Sequence, residues 1–214
     1  MMKKVLLFLL FFTAVFTLFA QNPSQSAAPV LEKTAKKYNQ LSTFSSDFKI
    51  DMLESDKKIH SFTGKLWVKK EKYYLTFDDQ IMANDGQICW NYQHTTNEAT
   101  IYDAEDDEFM MFHPTQILNN WSKDYTAKFV KEEKLQQKTL ILIDLTPKKK
   151  TSFNTLRLFI DKETSYIQKI VMMAEEGMSL TYSITKFTPN TPISDEKFVF
   201  NKKVYPNVQV SDMR

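Results

Sequence analysis

The period of the hydrophobic positions changes twice along the chain. It opens with an unbroken apolar run, Val5 to Phe19, preceded by Lys3-Lys4 and closed by Ala20. A basic start, an apolar core of about fifteen residues and a small residue at the cut describe a secretory signal peptide. The run is short for a membrane-crossing helix. Gln21 to Ala28 (QNPSQSAA) is small and polar and reads as a flexible leader. From Pro29 to Leu41 the spacing turns helical. Leu31, Ala35 and Tyr38 share one face, Glu32, Lys33, Lys36 and Lys37 lie elsewhere, and Pro29 suits a first turn.

Downstream of Ser42-Thr43, segments rich in β-branched and aromatic residues predict strands. These run Phe44–Leu53, Lys58–Lys70, Lys72–Phe77, Ile81–Ala83, Gln87–Tyr92 and Glu98–Tyr102. A second series follows: Tyr125–Val130, Leu135–Leu145, Ser152–Ile160, Tyr166–Ala174, Met178–Phe187, Lys197–Phe200 and Val208–Val210. Asn84-Asp85-Gly86, Thr146-Pro147 and Glu175-Glu176-Gly177 are the turn signals between them. Short strands joined by tight turns predict an antiparallel meander rather than βαβ units, and no long repeat is visible. The series is interrupted by acidic Asp103–Glu108 and by Phe109–Trp121, apolar in a broken helical pattern. Pro114 can begin a short helix in which Ile117, Leu118 and Trp121 share a face. An antiparallel sheet of about ten or more strands curls or closes, and the two helical pieces are natural plugs for its concave side.

Composition narrows the function. The 214-residue chain carries 28 basic and 26 acidic residues, and removal of Lys3 and Lys4 with the signal leaves the two in balance. A strongly basic nucleic-acid binder or polybasic membrane-surface protein is thereby disfavoured. With Cys89 alone, the chain has no internal disulfide, no cysteine metal cage and no cysteine after the signal to carry a lipid anchor. Three glycines, Gly64, Gly86 and Gly177, make no phosphate loop.

Catalysis finds no constellation. His60, His94 and His113 stand in no metal-binding spacing, and Cys89 has no adjacent base. The acidic run lacks the glycine and final glutamate of a calcium loop and reads as a solvated segment before a helix. No cofactor motif and no metal site are written in the chain, and it is expected not to be an enzyme. What stands out is soft apolar surplus: Leu66-Trp67-Val68, Leu140-Ile141-Leu142-Ile143, alternating Tyr73, Leu75 and Phe77, and the pairs Met110-Met111 and Met172-Met173. A plain β-sandwich core and a curled sheet enclosing an apolar ligand both fit.

Several motifs in order resemble one family. Gly64-Lys65-Leu66-Trp67-Val68-Lys69-Lys70 is similar to the G-x-L-W-V-K-R stretch of periplasmic outer-membrane lipoprotein carriers, the LolA-like proteins. Phe44-Ser45-Ser46-Asp47-Phe48 resembles their F-x-A-x-F strand, and Asp85-Gly86-Gln87-Ile88-Cys89-Trp90-Asn91-Tyr92 their D-G-x-x-x-W-x-Y turn and strand. Asp144-Leu145-Thr146-Pro147-Lys148 looks like their L-T-P-K turn, and Phe198-Val199-Phe200 through Asp212-Met213-Arg214 like their ending.

The resemblance implies a mainly β, unclosed antiparallel half-barrel over 29–214, with short α-helices as a lid. It implies a periplasmic carrier that shields lipoprotein acyl chains between the inner and outer membranes. Leu66, Val68, Tyr73, Leu75, Trp90 and Tyr92 are expected in the cavity wall, and Leu31, Tyr38, Ile117, Leu118 and Trp121 in the lid. Lys70 stands where the family has a lid-latching arginine, and Glu71 where it commonly has proline; the plain alternative is that Lys69 and Lys70 solvate a strand end. The implied partners are acylated lipoproteins, an inner-membrane lipoprotein-releasing complex and an outer-membrane receptor, acting on a monomer. The alternative on the same architecture is an envelope-stress sensor that binds lipoprotein or another apolar ligand; a second folded domain, expected of it, has no residues after Arg214.

Overall fold

The computed structural model describes residues 26–104 and 113–214. The acidic run beyond Ala104, Met110-Met111 and the signal segment lie outside the described residues. Helix α1 (Ala27–Asn39) leads into β1 (Phe44–Glu54), β2 (Lys57–Lys69), β3 (Lys72–Phe77), β4 (Gln80–Asn84), β5 (Ile88–Gln93) and β6 (Glu98–Asp103). Helix α2 (Pro114–Asp124) separates these from β7 (Tyr125–Leu135), β8 (Lys138–Pro147), β9 (Thr155–Asp161), β10 (Ile167–Met173) and β11 (Met178–Pro189). Two 3₁₀ turns, Asp195–Phe198 and Lys202–Val204, lie in a strap that leads to β12 (Gln209–Asp212).

All twelve strands form one sheet, in the order β12-β6-β5-β4-β3-β2-β1-β11-β10-β9-β8-β7. The single meander expected from sequence is in fact two, β1–β6 and β7–β11, sewn together where β1 pairs with β11 from Phe44↔Pro189 to Glu54↔Met178. The sheet does not close on itself. Register shifts at Asp47/Phe48, Met52/Leu53, Phe129/Lys131 and Ile167/Lys169 add the local twist that bulges bring. The β1–β2 connection is a two-residue turn, Ser55-Asp56, with both φ values positive, the hand that matches strand twist. At the β4–β5 turn Gly86 takes φ +95°, while Asn84 Oδ1 accepts from its N–H and Asp85 Oδ1 from those of Gln87 and Ile88.

Three expectations are corrected. Lys197–Phe200 is not a strand: Ser194 caps a 3₁₀ turn there and Phe198 is fully buried, so this stretch crosses the sheet instead of pairing with it. Strand β12 runs parallel to β6, because the strap carries the chain back across the sheet before it pairs. The leader is shorter than expected, since α1 begins at Ala27, which is itself buried.

Period 2 sorts the side chains onto two faces. On one, Phe44, Phe48, Leu66, Val68, Tyr73, Leu75, Ile141, Ile143, Leu145, Leu156, Leu158 and Ile170 form a continuous buried cluster, and both helices contribute to it. On the other, Ile81, Ala83, Trp90, Tyr92, Ala99 and Ile101 pack with Val208 and partly buried Phe200 and Tyr205 of the strap.

Candidate functional site

The helix-bearing face is built from amphipathic parts. In α1, Leu31, Thr34 and Tyr38 are buried at spacings of three and four, while Lys36 and Lys37 end the helix where cations suit its dipole. Pro114 opens α2, Ile117 and Leu118 are buried, and Lys148 Nζ donates to the carbonyl of Ser122 near its end, 2.7 Å away. The expected lid residues Leu31, Tyr38, Ile117 and Leu118 all lie in the cluster that holds Leu66, Val68, Tyr73 and Leu75, with Trp121 partly buried against it. The cross-strand pairs Leu66↔Leu75 and Val68↔Tyr73 put those four side chains on one face.

Trp90 and Tyr92 do not join them. Tyr73 pairs with Asn84, Asn84 with Cys89, and Leu75 with Met82, so alternation sends Cys89 and Asn91 toward the helix-bearing side. Trp90 and Tyr92 point the other way, into the cluster under the strap. The correction is a one-residue phase error, which inverts every side chain of a strand. Trp90 Nε1 donates to the carbonyl of Phe198 at 2.8 Å, and Tyr92 Oη to Asn97 Oδ1 at 3.1 Å.

Few directional bonds hold the helices to the sheet. Tyr38 Oη accepts from the backbone N–H of Ile167 at 3.2 Å. Its ring meets those of Phe44, Tyr166 and Phe187 edge-on at 5.6 to 5.8 Å. Burial pushes the Tyr38 phenol far above its ordinary pKa, so it stays neutral at any physiological pH. Asn39 Nδ2 donates to Asn119 Oδ1 at 2.9 Å and ties α1 to α2. Tyr38 thus bonds α1 to the sheet, a contact the sequence did not show. Lys70 sits in the β2–β3 turn at φ +56°, facing the two helices across a cleft, and makes no hydrogen bond or ion pair among the described residues. Its neighbours Lys69 and Lys72 instead bind Asp195 of the strap at 2.7 and 3.0 Å. The signal for Tyr38 was present in the helical face, but not its partner Ile167, which is remote in sequence.

Two hollows open on this side. A recess of about 130 Å³ is lined by Phe48, Ile50, Phe62, Leu75, Phe77, Leu180 and Tyr182, apolar throughout and with no helix residue in its wall. Gly64 makes room beside it: a Cβ there would sit 2.4 Å from the Phe48 ring and 2.3 Å from the Thr76 carbonyl oxygen. The cleft facing Lys70, about 270 Å³, is polar in its walls. No group of three or more metal-ligating side chains occurs among the described residues. His113 is buried at the start of α2 beside the Tyr73 ring, and Cys89 is buried within β5.

One open sheet with an apolar face covered by two amphipathic helices defines a class of binding protein. The chain belongs to the family described as outer membrane lipoprotein carrier protein LolA, which it matches over residues 39–201, as the motifs led one to expect. It is similar to the uncharacterized protein MJ0687 of Methanocaldococcus jannaschii, 22% identical over 204 residues; these cover 92% of this chain but only 58% of that relative's length. An uncharacterized conserved protein from Thermus thermophilus shares the fold with TM-score 0.62 at 13% identity, over 88% of this chain and 99% of that one. The LolA superfamily protein NE2245 from Nitrosomonas europaea aligns with TM-score 0.47 at 11% identity, over 82% and 98%.

Proposed function

We propose that this protein is a periplasmic carrier, exported with removal of residues 1–20, that shelters lipoprotein acyl chains between the sheet and its two helices on their way to the outer membrane. The observation that carries this reading is the apolar layer under α1 and α2, continued past them by an open, wholly apolar recess. The recess gives the far end of a chain a place to lodge, and the helices give the layer a removable cover.

Magnitudes fit a transfer role. One long acyl chain is worth about 12 kcal/mol of transfer from water, at about 0.8 kcal/mol per methylene. Leu31, Tyr38, Ile117 and Leu118, buried in the layer in the empty form, are together worth roughly 6–12 kcal/mol at about 1.5–3 kcal/mol each, and half-buried Trp121 adds to this. Exchanging helix side chains for one acyl chain is therefore near balance, and cargo can be both accepted and surrendered. Three chains amount to about 36 kcal/mol, beyond the roughly 18–21 kcal/mol at which non-covalent affinity saturates. A triacylated lipoprotein must be pushed out of its membrane by a releasing complex, and the carrier need only be a poorer refuge than the destination.

Dilution of an acylated lipoprotein out of detergent tests this. With the carrier present it should stay soluble as a stoichiometric complex, and without it sediment. The same protein lacking its acyl chains should not bind. Equal binding of both forms would overturn the reading.

A further inference from the structure

We propose that the cleft facing Lys70 is a head-group subsite that holds the peptide end of an N-acylated peptide while its acyl chain lies in the apolar layer. The inference rests on the acyl-chain reading above and adds which chemistry sits at the mouth of the layer.

The cleft is lined in part by Tyr38, Phe44 and Val68, members of the apolar cluster itself, so it borders the layer. Its walls carry four carboxamides: Asn39 from the end of α1, and Gln116, Asn119 and Asn120 from α2. These are already oriented. Asn39 Nδ2 donates to Asn119 Oδ1 at 2.9 Å, and Asn120 Nδ2 to Gln116 Oε1 at 3.1 Å. Whichever way each pair is turned, it leaves one carbonyl and one amino group without a partner among the described residues. Lys70 adds a cation and Glu71 a carboxylate from the β2–β3 turn.

That set is matched to a peptide. The spare amino groups and the ammonium suit carbonyl oxygens. The spare carbonyls and the Glu71 carboxylate suit N–H donors, which a fatty acid or a glycerol ester does not have. A phosphate without an amine attached would gather cations and amide donors but gain nothing from the two carbonyls, and it would be repelled by Glu71.

Displacement of bound 1-N-phenylnaphthylamine separates the two levels of the argument. Three competitors share one chain length: dodecanol, N-lauroylethanolamine and N-lauroyl-glycyl-serinamide. The acylated dipeptide should compete at roughly tenfold lower concentration than dodecanol, the yield of about 1.4 kcal/mol. The double variant Gln116→Leu/Asn119→Leu should lose that preference while dodecanol displacement is unchanged. Asn119→Ala, at an exposed position, should lose part of it and guards against misfolding of the double variant. Lys70→Met should weaken the dipeptide about threefold and leave dodecanol alone. A wild-type protein without preference, or variants that keep it, would overturn the subsite. Equal affinity for N-lauroylethanolamine would overturn its assignment to a peptide. Failure of dodecanol itself to displace the probe would sink the acyl-chain reading, and the subsite with it.

Discussion

The two faces of this sheet are covered in different ways. Under the strap, aromatic rings interlock and directional bonds fix them. Trp90 is bonded to the Phe198 carbonyl, Phe200 stacks on Tyr205 at 5.7 Å, and Lys197 lies over Trp67 and Tyr74 at about 4 Å. Burial there pushes the Tyr74 phenol up to about 12 and the Lys197 ammonium down, and the Lys69–Asp195–Lys72 bridge closes the rim. Under the helices, apolar side chains meet, with the Tyr38, Asn39 and Lys148 bonds at the edges of the layer. A cover fixed by directional bonds is permanent, whereas one held by packing can trade its own side chains for those of a ligand of similar polarity.

Truncation on each face gives the largest expected contrast. Trp90→Ala should cost about 3–5 kcal/mol in urea unfolding followed by circular dichroism, the usual range for a buried tryptophan. The loss should be the same with and without a lauroyl ligand, leaving affinity unchanged. Leu118→Ala should cost about 2 kcal/mol in the empty form, because a helix at the surface can settle into the gap. Its loss weakens only the closed, empty state, so ligand affinity should rise by up to about tenfold. Equal ligand dependence in the two variants would erase the distinction between the faces.

Tyr38→Phe sharpens the comparison at a directional bond between α1 and the sheet. It strands the buried N–H of Ile167, at a cost of about 1–3 kcal/mol. In hydrogen exchange α1 should open more readily, while β5 and the strap cluster keep their protection. Unchanged exchange in α1 would mean that packing alone holds it. Thr34→Val should act in the opposite direction. Thr34 is fully buried, and its hydroxyl has no partner among the described residues. Removing that desolvated hydroxyl should stabilise the closed form by about 1 kcal/mol, raise the melting temperature and slow uptake of an apolar probe.

Much of this was legible in the sequence, and the failures have a common origin. Strand existence followed from β-branched and aromatic runs, and the helical faces of Leu31/Tyr38 and Ile117/Leu118 from spacing alone. Alternation also grouped Leu66, Val68, Tyr73 and Leu75. It could not carry that phase across the β4–β5 turn, so Trp90 and Tyr92 were assigned to the wrong side. Register across a turn depends on the turn's geometry, and a slip of one residue there flips every side chain of the next strand. The strap failed for a related reason: Phe198-Val199-Phe200 alternates like a strand, but the Phe198 carbonyl accepts from the indole of Trp90, 108 positions away in the chain. The Tyr38 bond was not legible because its partner, Ile167, is far along the chain.

The smallest expected effect is one of charge, and it separates the faces by pH. Bonds to Lys69 and Lys72 hold the Asp195 carboxyl below its ordinary pKa. A carboxylate depressed in the folded state contributes stability that is fully present above its unfolded pKa, about 3.9, and is lost as pH falls through the folded value. Asp195 is exposed, so the contribution is small and screened by salt. Asp195→Asn should lower the melting temperature slightly at pH 7 and low ionic strength. The gap to wild type should hold down to about pH 5 and shrink below pH 4, as the wild-type bridge is itself protonated. Across the same range the neutral Tyr38 and Asn39 bonds do not titrate, so Tyr38→Phe should show a constant deficit. A gap for Asp195→Asn that persists at pH 3 would show that this residue acts through its place at the start of the 3₁₀ turn, not through its charge. The strap would then be closed by shape and hydrogen bonding alone.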